Sequence, residues 1–197
     1  MRLVSILLAV AVLFSACSKS KEPAKPVKDT TAAPVVQGPD KAFKPFPKDD
    51  PRVVKHANGL MTLDLEVGKG KAVEGIVIVK TNYTGWLPTT GKVFDANWKH
   101  STEPAEFPLA KGQVIDGFSL GFQGMKEGGR RVMWLPSALA YKEASMGDIT
   151  PNSDLMFEVS LFEVKEAPQS IKDAAAAMAT QEAADNAKKD GEAPQGK

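Results

Sequence analysis

The feature that most constrains the fold of this chain is an alternation of side chains at residues 155–161, where four apolar residues alternate with Met156, Glu158 and Ser160. Every second position there is apolar, namely Leu155, Phe157, Val159 and Leu161. Successive side chains of a β-strand point to opposite faces, so this pattern predicts a strand with one buried face. The same alternation at residues 61–67, and shorter apolar runs at 76–79, 93–95 and 130–135, predict further strands. The sequence therefore predicts a sheet as the main element.

A short helix is predicted between these strands, at residues 114–125. One helix face would carry four apolar residues spaced by three or four, which are Ile115, Phe118, Phe122 and Met125. Gly117 and Gly121 lie one turn apart, and we expect them to let the helix approach the sheet closely. These observations predict an α+β fold, in which a curved antiparallel sheet of about five strands wraps around one short helix and carries flexible tails.

The composition separates a central domain from two polar segments. Residues 52–165 hold most of the aromatic side chains, and their number is typical of one domain. Residues 17–51 are predicted to be a solvated linker, because they are rich in proline and lysine and poor in large apolar side chains. Residues 166–197 form an Ala-rich polar tail without an apolar stripe, so we favour a frayed or disordered segment over a partner-binding helix. Good helix formers nevertheless occupy residues 170–188.

Residues 1–16 are predicted to be a lipoprotein signal peptide. They begin with a positive charge and continue with an apolar run too short to span a bilayer. The single cysteine follows, and Phe14-Ser15-Ala16-Cys17 resembles a bacterial lipobox, in which the thiol is lipidated. The alternative is an ordinary secretory signal with a spare thiol. Lipidation of Cys17 predicts a periplasmic protein anchored to a membrane, and Ser18 favours the outer membrane.

The charge balance and the few soft side chains exclude several classes of function. The chain has 25 basic and 24 acidic residues and a net charge of +1, which gives no electrostatic reason for a nucleic-acid partner. One cysteine and two histidines are too few for a disulfide framework or a structural zinc site. We predict no metal, no cofactor and no nucleic-acid partner.

Seven short motifs follow one another in a recognisable order along the central domain. They are Tyr83-Thr84-Gly85, Gly91-Lys92-Val93-Phe94-Asp95, the run from Glu103 to Leu109, Gln113-Val114-Ile115-Asp116-Gly117-Phe118, the run from Met125 to Gly129, the run from Leu135 to Tyr141, and Leu155-Met156-Phe157-Glu158-Val159. Together they resemble the FKBP-type peptidyl-prolyl cis-trans isomerases, especially the exported lipoproteins of bacteria. The resemblance covers about residues 55–165, and it implies a foldase that accelerates X–Pro isomerisation in exported proteins.

The resemblance also assigns residues to an active pocket. It implies three catalytic residues, Tyr83, Asp95 and Tyr141. It implies six substrate-binding residues, Phe94, Val114, Ile115, Phe118, Ile149 and Phe157. In this scheme Tyr83 orients Asp95, while the Tyr141 hydroxyl and a backbone N–H bind substrate carbonyls. Proline-containing polypeptides are the implied substrates, and macrolide inhibitors are candidate ligands.

Three positions depart from the family pattern. Phe118 stands where Trp is common, and residues 148–151 read Asp-Ile-Thr-Pro instead of Gly-Ile-Pro-Pro. Lys142 replaces a glycine, so the loop must avoid a positive φ or tolerate strain. These departures bear on substrate preference and macrolide affinity. The alternative function is a chaperone module that binds proline-containing or unfolded segments with little catalysis.

Overall fold

A computed structural model describes residues 46–191 of the chain. The predicted signal peptide at residues 1–16, Cys17 and most of the predicted linker lie outside the described residues. The described part contains seven strands, β1 (Val54–Lys55), β2 (Met61–Glu66), β3 (Val77–Trp86), β4 (Val93–Ala96), β5 (Ala105–Pro108), β6 (Arg130–Leu135) and β7 (Leu155–Glu166). It also contains two α-helices, α1 (Asp116–Phe122) and α2 (Gln169–Gly191).

The strands form one antiparallel sheet in the order β1-β2-β6-β7-β3-β4. The long strands β3 and β7 pair along their whole length. The other edge of β3 is shared, because β5 pairs with residues 78–81 and β4 pairs with residues 84–86. The predicted antiparallel α+β fold is confirmed, and the short strands β1 and β5 bring the count above the five expected.

The main core lies between the sheet and α1. Phe118 and Phe122 of α1 are buried among apolar side chains of β6 and β7. A Cβ atom at Gly117 would lie 2.6 Å from Cγ of Leu135, and one at Gly121 would collide with Sδ of Met133. The expectation that these glycines permit close approach of the helix to the sheet is therefore confirmed.

A smaller core covers the opposite face of the sheet. It consists of five buried side chains, Leu63, Trp86, Val132, Trp134 and Met156. Phe46 and Val53 pack against this cluster, although Phe46 falls within the predicted linker. The part of the chain that packs on the sheet therefore begins before residue 52. A single aromatic ring such as Phe46 can cover apolar surface of the sheet even in a segment that is otherwise polar.

The Arg131 side chain of β6 fixes the end of α1 to the sheet and forms an ion pair with Asp64 of β2. Nε of Arg131 lies 2.6 Å from Oδ1 of Asp64, and Nη2 lies 3.0 Å from Oδ2. Nη1 donates to the carbonyl oxygens of Gly121 and Gln123 at 2.8 and 3.1 Å. Arg131 is 8% exposed, so the guanidinium satisfies carbonyl groups that the last turn of α1 leaves without helical partners.

The segment after β7 differs from the frayed or disordered tail that we favoured. α2 is continuous over 23 residues, Ala175 is 4% exposed, and Glu182 pairs with Lys111 at 2.7 Å. Alanine supplies no apolar stripe that a sequence pattern could reveal, yet its methyl group can be buried when a partner surface is present. No helix of residues 46–191 has the length and apolar character needed to cross a membrane.

The small side chains of α2 leave a space beneath the helix, which we call the α2 cavity. Its volume is about 520 Å³. Its walls include Leu109, Leu120 and Leu139 of the domain, and Ala175 and Ala179 of α2.

Candidate active site

Eight of the nine predicted site residues line one cavity at the end of the sheet nearest α1. We call this cavity the aromatic pocket, and its lining consists of Tyr83, Phe94, Asp95, Phe107, Gln113, Val114, Ile115, Phe118, Tyr141 and Phe157. The volume is about 180 Å³. A water molecule occupies roughly 30 Å³ of liquid, so the pocket accommodates a group the size of a small ring.

Phe118 lies at the centre of the aromatic walls. Its ring meets those of Tyr83, Phe107 and Phe157 edge to face, with centroids 6.3, 5.6 and 5.2 Å apart. Phe94 packs on Phe157 in the same manner at 5.5 Å. Edge-to-face contacts orient each ring against its neighbours.

Gly85 makes room for two of these rings. A Cβ atom at this position would lie 2.6 Å from Cζ of Phe94 and 2.9 Å from Cε1 of Phe157. Because neither distance is compatible with a methyl group, any other residue at position 85 would displace these rings.

Asp95 is the polar centre of the site and accepts three hydrogen bonds. The Tyr83 hydroxyl donates to Oδ2 at 2.7 Å, and the backbone N–H of Ala96 donates to Oδ1 at 2.8 Å. Nε2 of His100 lies 2.8 Å from Oδ1. The carboxylate is therefore held on both oxygens by groups from β3 and from its own strand and loop.

These contacts keep Asp95 ionised and both tyrosines protonated. Burial by itself raises the pKa of Asp95, but the hydrogen bonds from His100, Tyr83 and the Ala96 N–H lower it by more, so the pKa lies below the ordinary value. Burial and the adjacent carboxylate raise the pKa of Tyr83. Burial, followed by the charge of Asp95, raises the pKa of Tyr141. Two phenolic hydroxyl groups and one carboxylate thus face the same apolar space at neutral pH.

A buried pair of asparagines positions Tyr83. Oδ1 of Asn97 accepts the backbone N–H of Tyr83 at 3.0 Å. The amide of Asn97 donates to Oδ1 of Asn82 at 2.7 Å. Both asparagines are less than a tenth exposed. Their hydrogen bonds connect the short turn after β4 directly to β3, beside the pocket.

The loop that carries Tyr141 contains a strained residue. Lys142 has φ = +54°, in the left-handed region that favours glycine. Its N–H donates to the carbonyl of Ser137, and its own carbonyl accepts from the N–H of Asn152. The sequence predicts that the loop either avoids a positive φ at Lys142 or tolerates strain there. The structure shows the second outcome, and the two backbone hydrogen bonds stabilise the loop in this conformation.

Ile149 is the predicted site residue that the structure does not bring to the pocket. It is 4% exposed and belongs to the main core, at a turn in which it exchanges backbone hydrogen bonds with Met146. The main core also contains Phe118 and Phe157, which line the pocket, so the role of Ile149 in substrate binding stays a prediction. For the other eight residues the structure shows proximity, and their roles remain predictions.

Three residues at the site were not predicted. Phe107 and Gln113 line the pocket, and both lie within motifs that carried the resemblance. His100 contacts Asp95 from outside the motifs, five residues further along the chain. A three-residue 3-10 turn, Asn97–Lys99, brings the imidazole back to the carboxylate, and sequence spacing alone gives no signal of that geometry.

No group of three or more His, Cys, Asp or Glu side chains within residues 46–191 is arranged to hold a metal ion. The side chains at the pocket supply aromatic rings, two phenols, the Asp95 carboxylate and the Gln113 carboxamide, and the His100 imidazole contacts that carboxylate.

The comparisons with known proteins agree on one family. The sequence model described as FKBP-type peptidyl-prolyl cis-trans isomerase matches residues 68–162. The chain is 38% identical over 148 residues to FK506-binding protein 4 of Neurospora crassa, an alignment that covers 75% of this chain and 30% of that protein. The chain spans between 22% and 32% of the length of the curated relatives it matches.

Two bacterial crystal structures are also similar. FkpA from Escherichia coli has 38% sequence identity and a TM-score of 0.56, covering 61% of this chain and 55% of that chain. A peptidyl-prolyl cis-trans isomerase from Pseudomonas syringae has 34% identity and a TM-score of 0.54, covering 60% of this chain and 85% of that one.

Proposed function

The chain belongs to the FKBP-type peptidyl-prolyl cis-trans isomerase family, and we propose that it accelerates cis–trans isomerisation of X–Pro bonds in polypeptides. The observation that carries this proposal is the aromatic pocket, in which a ring-sized apolar space lies beside the hydrogen-bonded carboxylate of Asp95.

The physical demand of the reaction fits this pocket. An amide bond resists rotation with a barrier of roughly 18–20 kcal/mol, because resonance holds it planar. Rotation by a quarter turn removes the charge separation between the carbonyl oxygen and the nitrogen, so an apolar environment stabilises the twisted imide relative to the planar one. Burial of the proline ring against Phe118 and Phe157 supplies that environment, and the reaction needs no nucleophile.

The polar groups orient the substrate in this scheme. Tyr141 lines the pocket with a protonated hydroxyl, which donates to a substrate carbonyl. Ile115, which immediately precedes α1, offers its backbone N–H to a second carbonyl. Asp95 is kept in one position by Tyr83, next to the bond that rotates.

The same pocket is proposed to bind macrolides of the FK506 type. Several relatives are named FK506-binding proteins, and they share 35–42% identity with this chain over the aligned residues. Competition between the macrolide and the substrate provides a direct way to assign activity to the pocket.

The test is an NMR exchange measurement on a blocked Leu-Pro-Phe peptide with purified full-length protein. We expect faster cis–trans exchange than in buffer, and we expect FK506 to abolish the increase. Exchange at the buffer rate would contradict an isomerase. If the protein nevertheless suppressed aggregation of an unfolded client, the chaperone module would replace the enzyme as its function.

We further propose that the protein is a periplasmic lipoprotein that acts on exported proteins. The support is the position of Cys17 directly after an apolar segment, together with the likeness to FkpA of Escherichia coli and to an isomerase of Pseudomonas syringae. Ser18 favours the outer membrane. Fractionation of cells that express the wild type or Cys17→Ser tests this proposal. Release of the variant into the soluble fraction is expected, and retention in the membrane pellet would contradict lipidation.

A further inference from the structure

The loop between β5 and α1, which we call the β5–α1 loop (residues 109–115), borders two cavities. Residues 109–111 line the α2 cavity, and residues 113–115 line the aromatic pocket. Gly112 separates the two halves and has φ = +77°, a conformation that favours glycine. A displacement of the loop at the α2 cavity therefore reaches the pocket across one residue.

Two side chains of α2 contact this loop. A Cβ atom at Gly112 would lie 2.5 Å from Sδ of Met178, so the thioether packs directly on the glycine. Nζ of Lys111 lies 2.7 Å from Oε2 of Glu182 and 3.3 Å from Oδ2 of Asp116, the first residue of α1. The Lys111 ammonium thus joins α2 to the start of α1, beside the half of the loop that lines the pocket.

The helix α2 also lies against the loop that carries Tyr141. Leu139, two residues before Tyr141, lines the α2 cavity. The hydrogen bond from Lys111 lowers the pKa of Glu182, and the positive charge of Lys142 lowers it further, which places Lys142 near the same carboxylate. In the proposed function both loops offer hydrogen-bond donors to the substrate, so α2 contacts the two segments that have to be in place together.

The contacts of α2 with the domain are few and mostly exposed. Of the α2 side chains that the structure describes, only Ala175 is buried. The pair of Lys111 with Glu182 is more than a third exposed on both sides, and such pairs stabilise a docked helix weakly. Elements with little buried apolar surface open locally without unfolding of the rest of the domain. We therefore expect α2 to undock while the sheet stays intact.

We propose that α2 is a positioning element for the aromatic pocket, and that it acts through Met178 and Glu182 on the β5–α1 loop. The inference rests on the proposed function, which makes this pocket the substrate site. With α2 docked, Val114 and the N–H of Ile115 are in place for a substrate; with α2 undocked, binding first has to order the loop. Coupling between two sites is reciprocal, so a ligand in the pocket should stabilise the docked helix by the same factor, roughly 5- to 20-fold.

The experiment compares two double variants of the full chain. Ala175→Glu/Ala179→Glu places two carboxylates in the α2 cavity and should undock the helix. Ala174→Glu/Ala177→Glu is the matched control, because it adds the same charges at exposed positions of the same helix. Hydrogen exchange of the α2 amides measures docking, and exchange of the β3 and β7 amides shows that the domain remains folded. Calorimetry with FK506 and NMR exchange on the blocked Leu-Pro-Phe peptide report on the pocket.

A second variant removes the two contacts with the loop and leaves Ala175 in place. Met178→Ala/Glu182→Gln should weaken FK506 binding even where the helix stays docked. Asp185→Asn is its control, since it removes one negative charge from a side chain that bonds to Gln181 within α2.

The undocked variant should bind FK506 roughly 5- to 20-fold more weakly than wild type, and KM for the peptide should rise by a similar factor while kcat stays within about twofold. Saturating FK506 should slow hydrogen exchange of the wild-type α2 amides by the same factor. Without any ligand, the NMR signals of the Val114 methyl groups and the Ile115 amide should shift in the undocked variant and not in its control.

Three results would overturn the proposal: equal FK506 affinity in Met178→Ala/Glu182→Gln and Asp185→Asn, α2 exchange that does not respond to bound FK506, or unchanged Val114 and Ile115 signals after undocking. A wild type that neither binds FK506 nor accelerates peptide exchange would instead overturn the proposed function, and the ligand-free NMR signals would still decide whether α2 positions the loop.

Discussion

The Tyr83 hydroxyl donates a hydrogen bond of 2.7 Å to Oδ2 of Asp95, and this contact joins β3 to β4 at the aromatic pocket. If the carboxylate orients the imide, Asp95→Ala should lower kcat/KM by roughly 5- to 150-fold, which corresponds to about 1–3 kcal/mol. Tyr83→Phe should cost less, because Asp95 keeps its contacts with His100 and Ala96. Peptide exchange gives the rates, and unchanged circular dichroism shows that the fold is intact. A loss below twofold in Asp95→Ala would contradict the assigned role.

Removal of the Tyr141 hydroxyl should affect binding of the substrate carbonyl and leave the fold unchanged. We expect Tyr141→Phe to lower kcat/KM by roughly 2- to 10-fold, the value of one neutral hydrogen bond. Phe157→Ala is the contrasting variant, because it removes a ring that is 5% exposed and should destabilise the domain by about 3–5 kcal/mol. Thermal unfolding of both variants separates the two effects. A large fall in the melting temperature of Tyr141→Phe would assign this side chain to packing.

The guanidinium of Arg131 ties α1 to the sheet, so its loss should be costly. Arg131→Met should lower the free energy of unfolding by about 2–4 kcal/mol, because carbonyl groups at the end of α1 and the Asp64 carboxylate lose their donor. Lys71→Met provides the comparison, since its pair with Glu166 is exposed and should contribute less than about 1 kcal/mol. Urea denaturation measures both. Equal effects would show that burial of the Arg131 pair is unimportant.

The contact of α2 with the domain can be tested at two adjacent alanines. Ala175 is buried and lines the α2 cavity, whereas Ala174 is exposed. Ala175→Glu should destabilise the docked helix by about 1–2 kcal/mol, because a charge replaces a buried methyl group. Ala174→Glu should stay within about 0.5 kcal/mol of wild type. Hydrogen exchange of the α2 amides gives the readout, and equal protection in both variants would mean that α2 is not docked.

Lys142 is the strained residue of the Tyr141 loop, and its replacement should raise the stability of the protein, in contrast to the destabilising substitutions above. Lys142→Gly should stabilise the protein by about 0.5–1 kcal/mol, because glycine adopts φ = +54° without the steric penalty of a Cβ atom. Lys142→Ala removes the same charge but retains the Cβ, so its stability should match that of wild type. The melting temperatures of the two variants decide between strain and charge. A stabilised Lys142→Ala would show that charge is responsible.

Elements with a buried face were predictable from the sequence. The spacing from Ile115 to Phe122 gave α1, because that pattern follows directly from burial of one helix face. The alternation around Phe157 gave β7, but the prediction of one buried face was wrong, because residues 155–161 are buried on both faces. Strand β5 was missed, since a four-residue segment that ends in proline becomes a strand only through pairing with distant residues of β3. Long-range pairing leaves no periodic signal in so short a segment.

At the site, the ordered motifs predicted most of the residues that line the pocket, but they could not predict which side chains contact one another. His100 reaches Asp95 through the geometry of one turn. The docking of α2 was missed for a related reason, since Ala175 is buried by the surface that it meets and has no apolar stripe to reveal it.

The arrangement of the sheet has a consequence for a protein that meets unfolded chains. Its outer strands are short, with two residues in β1 and four in each of β4 and β5, and β2 is interrupted by a bulge between Asp64 and Glu66. A short or irregular border presents few unpaired N–H and C=O groups in register, so a passing polypeptide gains little by adding itself as another strand. The sheet thereby resists co-aggregation with the chains it is proposed to help fold.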